Sequence, residues 1–64
     1  MTVNTKMGKI TASKGVLNML SLALSEAADS MQARKGFEKR DVYGYDTVAN
    51  EIYDALNADG YYNK

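Results

Sequence analysis

Hydrophobic and polar positions divide the chain into four stretches. Between Met1 and Thr11, Val3, Thr5 and Met7 alternate with Thr2, Asn4 and Lys6. That two-residue period belongs to a strand. A lone strand cannot satisfy its own backbone groups, and no second strand is apparent. Residues 1–11 then either pair with another copy, pack irregularly or are disordered, and a flexible or irregular segment is expected, as unanchored termini usually are.

Residues 13–35 change to a helical period. In steps of 100° from Leu17, residues Leu20, Leu24, Ala27, Ala28 and Met31 fall within about 80° of it. Val16 and Ala23 border this stripe, and Asn18, Ser21, Ser25, Asp29 and Gln32 are assigned to the other side. Thr11 and Ser13 are candidate N-caps, since a hydroxyl there can accept an orphan first-turn N–H. Gly36 suits the residue after the helix, with Phe37 folding back on Met31.

Residues 37–45 read as a connection with Gly44 between two tyrosines. Residues 46–59 read as a second helix, N-capped by Asp46 or Thr47. Its stripe is Val48, Ala49, Ile52, Ala55 and Leu56. Gly60 suits a left-handed C-terminal cap, and Tyr61 can then cover Leu56. The expected fold is all-α: one domain over residues 1–64, an antiparallel hairpin with a long first helix and a shorter second helix. About 23 residues make roughly 34 Å of helix and about 14 make roughly 21 Å, so the second cannot cover the first.

Composition sharpens this picture. The chain has 64 residues, 8 Lys+Arg against 8 Asp+Glu, and no Cys, His, Pro or Trp. Disulfides, the usual Cys/His zinc sets and His-dependent nucleophilic catalysis cannot be assembled from it. A domain of this size buries only about 60% of its unfolded surface, which raises self-association as the remedy. No apolar run approaches the length of a membrane-spanning helix, and the chain is expected to be cytoplasmic, away from membranes. The zero net charge hides a division: residues 1–40 carry seven bases and three acids, whereas residues 41–63 carry five acids and no base.

Several side chains could carry function. Leu22 lies about 140° from Leu17, amid polar neighbours, and with Met19 it widens the uncovered apolar face. Arg34, Lys35, Lys39 and Arg40 surround Phe37, a pattern that could contact phosphates and stack on a base, although bases at a helix end also suit the dipole. Tyr43, Tyr45, Tyr53, Tyr61 and Tyr62 mix with five acids after residue 40. Of these, Tyr45, Tyr53 and Tyr61 are assigned to a thin core, and Tyr43 and Tyr62 to an interface. Glu51 and Asp54 form an i, i+3 carboxylate pair of the sort common on solvated helix faces. No metal or cofactor site is expected, and no catalytic residue is assigned.

Glu51-Ile52-Tyr53-Asp54-Ala55-Leu56 with Asp59-Gly60-Tyr61-Tyr62 resembles the ending of small helical proteins encoded by bacteriophages and related mobile elements. Ala27-Ala28 and Arg34-Lys35-Gly36 are similar in placement to the end of the first helix in such proteins. The resemblance covers about half the chain, implies a phage-like accessory protein that binds another protein, and transfers no functional residue. The functional expectation is a non-enzymatic, self-associating protein-binding module that occludes or bridges a partner protein. Its interface candidates are Met19, Leu22, Phe37, Tyr43 and Tyr62. The alternatives are a nucleic-acid-binding module using Arg34, Lys35, Lys39 and Arg40, or an acidic nucleic-acid mimic built on the second helix.

Overall fold

The computed structural model describes residues 1–34 and 39–63, with only the backbone described for 39–41. Four elements follow in order: β1 (Thr2–Thr5), β2 (Gly8–Thr11), α1 (Lys14–Ala33) and α2 (Lys39–Ala58). The protein is thus two helices with a short antiparallel sheet ahead of them.

That sheet corrects the expectation of an irregular or disordered segment over 1–11. β1 and β2 pair antiparallel, with Val3 opposite Ile10 and Thr5 opposite Gly8. The turn is Lys6-Met7. Neither residue has positive φ, and Gly8 supplies it at +115°. A glycine just after the turn lets the second strand return without a strained side-chain-bearing residue. The Thr5 hydroxyl donates to Gly8 O at 2.8 Å and accepts from Met7 N–H at 3.1 Å. Mutual backbone bonds between Met1 and Ala12 extend the ladder by one pair.

A two-stranded hairpin is marginal alone, so its stability has to come from packing. Val3 is 3% exposed and joins Leu17, Val48, Ile52 and Leu56 in the core. Met1, Ile10 and Ala12 pack against that cluster from the same side of the sheet. The opposite side carries Thr2, Asn4, Lys9 and Thr11, all exposed, with the Thr2 and Thr11 hydroxyls bonded at 2.8 Å.

α1 begins as its sequence implies. Ser13 is the N-cap, its Oγ accepting from Val16 N–H at 3.3 Å. The helix ends at Ala33 with Arg34 as C-cap. The predicted Gly36–Phe37 cap lies outside the described residues. Leu17 and Ala28 are buried on the expected stripe. Ser21 is a correction: assigned to the polar side, it is 5% exposed. It stands four residues from Leu17, about 40° around the helix, and so falls within the stripe. Its hydroxyl donates to Asn18 O at 2.8 Å, which satisfies the buried polar group within its own helix.

α2 is the larger correction. Both helices have 20 residues, so the second is not the shorter. Positions 39–45, expected in a connection, form its first two turns, and Asp46 and Thr47 lie in its interior rather than at its N-cap. Val42 explains the earlier start. At 8% exposure it continues the buried line of Ala49, Ile52 and Leu56 at helical spacing. Gly44 costs roughly 1 kcal/mol in a helix interior, and burial of an apolar neighbour such as Val42 offsets a term of that size.

The C-terminal cap follows the sequence closely. Gly60 has φ +83°. Tyr61 N–H bonds Leu56 O at 3.0 Å, and Gly60 N–H bonds Asn57 O at 3.1 Å. Those are the two bonds of a Schellman cap. Tyr61 folds onto the core beside Leu56.

The helices run antiparallel. Lys14, at the start of α1, forms an ion pair with Asp59, just past the end of α2. One turn further on, Asn18 bonds Tyr62. No helix among the described residues is long and apolar enough to cross a membrane.

Candidate interaction surface

Among the described residues, one side of α1 has no neighbour. α2 and the hairpin pack near Leu17, and the molecule is only 15 Å deep along its shortest axis. Val16, Met19 and Leu22 are accordingly 53%, 69% and 57% exposed, and Ala23 beside them is exposed as well. Gly15, Met19, Leu22 and Glu26 recur at spacings of four, three and four residues, which lines them up as a single ridge. No charged residue occurs between Lys14 and Glu26.

A tyrosine cluster borders this ridge. Tyr62 lies in the turn that follows the α2 cap, and its hydroxyl donates to Asn18 Oδ1 at 2.6 Å. Its ring stacks on Tyr53 with centroids 5.0 Å apart and meets Tyr61 edge-on at 5.2 Å. Asn18 and Leu22 are i, i+4 neighbours, so Tyr62 is anchored one turn from Leu22. Of the three tyrosines assigned to the core, Tyr61 packs there. Tyr45 and Tyr53 do not, being 39% and 49% exposed.

Tyr43 sits elsewhere. It is 65% exposed near the start of α2, and the Lys6 ammonium lies 5.0 Å from its ring centroid. Lys6 N–H also donates to Glu51 Oε1 at 2.9 Å. The hairpin turn is thereby clasped to α2 through a carboxylate and an aromatic face. Glu51 is occupied in that clasp, while Asp54 points into solvent. Met7, at the tip of the turn, is 78% exposed.

Met19, Leu22 and Tyr62 therefore share one region, and Tyr43 belongs to another. Of the basic cluster, Arg34 is exposed at the α1 C-cap. Phe37, Lys35 and the side chains of Lys39 and Arg40 lie outside the described residues. The hairpin clasp escaped the sequence reading. Its one trace there is a change of parity, from Val3 and Thr5 before Gly8 to Ile10 and Ala12 after it.

Electrostatically, the helix bodies are one-sided. Residues 15–33 and 42–58 contain Glu26, Asp29, Asp46, Glu51 and Asp54 and no base. Lys6, Lys9, Lys14 and Arg34 belong to the hairpin and the ends of α1. Comparison with protein families, curated proteins and solved structures gives no match.

Proposed function

We propose that the protein is a non-enzymatic protein-binding module that self-associates and acts by occluding or bridging a partner protein. The observation that carries this reading is the apolar face of α1, where Met19 and Leu22 lie on the ridge and Val16 borders it, each more than half exposed. A small chain gains little core of its own, and covering such a ridge removes apolar area from water at about 25 cal/mol per Å². Tyr53 and Tyr62 form the rim, since stacked tyrosines give broad contact at small entropy cost. The phage-like context implied by the C-terminal residues belongs to the same proposal. Sedimentation of the wild type and of Leu22→Glu tests it. The wild type should show a mass above that of one chain and the variant should return to one chain. Equal masses for the two would remove self-association through this face.

A further inference from the structure

The ridge that supports this reading also carries information about its occupant. Glu26 stands at one end of the uncharged segment and Lys14 at the other, with Gly15 between Lys14 and the apolar ridge. The first turn of α1 contains no acidic residue, although a helix N-terminus favours negative charge. Gly15 has open space where a side chain would be, so another backbone can approach there.

We propose that the occupant is a second copy of the chain, docked with its α1 antiparallel to the first. Met19 of each copy packs against Leu22 of the other. Glu26 of each copy reaches the Lys14–Gly15 turn of the other. The inference rests on self-association through this ridge and adds its geometry. An axis midway between Met19 and Leu22 carries position 15 onto position 26, so one two-fold operation makes both contacts twice. Each carboxylate then meets the electropositive, acid-free start of a helix, while Lys14 stays paired with Asp59 of its own chain. A parallel pair in register would instead set Glu26 against Glu26, a like-charge contact on an apolar seam, and leave the glycines facing each other. The tyrosine rim at Asn18 lies on the flank of this pair, beside Leu22.

Because the chain has no cysteine, single thiols can report the geometry. Gly15→Cys and Glu26→Cys are prepared separately, their mixture is matched to wild type by helical circular dichroism and by sedimentation mass, and each variant and the mixture are treated with a short bis-maleimide. In an antiparallel pair, like thiols stand eleven residues apart along the helix, about 16 Å, whereas unlike thiols face each other. The expected result is a cross-linked heterodimer from the mixture and little product from either variant alone. Adding Leu22→Glu to both chains should abolish the heterodimer. Strong cross-linking of each variant by itself would overturn the antiparallel geometry in favour of a parallel one while leaving self-association in place. A wild type that sediments as a dimer but yields no cross-link from the mixture would also overturn this geometry. A wild type that sediments as a single chain would remove both this inference and self-association.

Discussion

Gly60 shows how one backbone angle sets the end of a helix. Its φ of +83° lets Tyr61 N–H and Gly60 N–H turn back to the last carbonyls of α2. Space is not the constraint, because nothing stands within 4 Å of a Cβ built there. Gly60→Ala therefore carries the left-handed backbone cost alone, roughly 1–2 kcal/mol. Thermal unfolding should show a fall of about 4 °C or more. Ser21 makes the opposite point. Its type suggested solvent, yet its position four residues from Leu17 placed it in the core.

Helix α2 and the hairpin owe their extents to packing rather than to local preference. Gly44 interrupts the propensity of the 39–45 region, and the helix runs through it because Val42 is buried on the same line as Ala49. Gly44 has no positive φ and has room for a side chain. Gly44→Ala should thus stabilise the protein by about 0.5–1 kcal/mol, read as a higher urea midpoint. A loop that needed glycine at this position would lose stability instead. The hairpin is tied into the same core through Val3. Val3→Asp would bury a charge without a partner, at a cost of several kcal/mol. The loss should appear in helical circular dichroism as well as in the strands, because Val3 packs with Leu17, Ile52 and Leu56.

Across the molecule, a thin two-helix body leaves apolar surface on α1 that no element among the described residues covers. Self-association at the α1 ridge would link stability to concentration. The melting temperature should then rise as protein concentration rises, and Leu22→Glu should make it concentration-independent. The charge arrangement adds orientation. In an antiparallel pair Glu26 would face the acid-free start of α1, whereas in a parallel pair it would face the Glu26 of the other copy. Much of this was legible from residue order. Both helices, the Ser13 cap, the Gly60–Tyr61 cap and the Leu17 and Ile52 stripes depend on partners within about four residues along the chain, and such neighbours are read directly from spacing. The β1–β2 pairing, the start of α2 at Lys39, the Lys6–Glu51 clasp and the Tyr53–Tyr62–Asn18 cluster were not legible in that way. Each is stabilised by groups from another element, as far apart as the 45 residues that separate Lys6 from Glu51. Local spacing states which face of an element is apolar; which neighbour covers that face, and which side of α1 stays bare, follows only once the elements pack together.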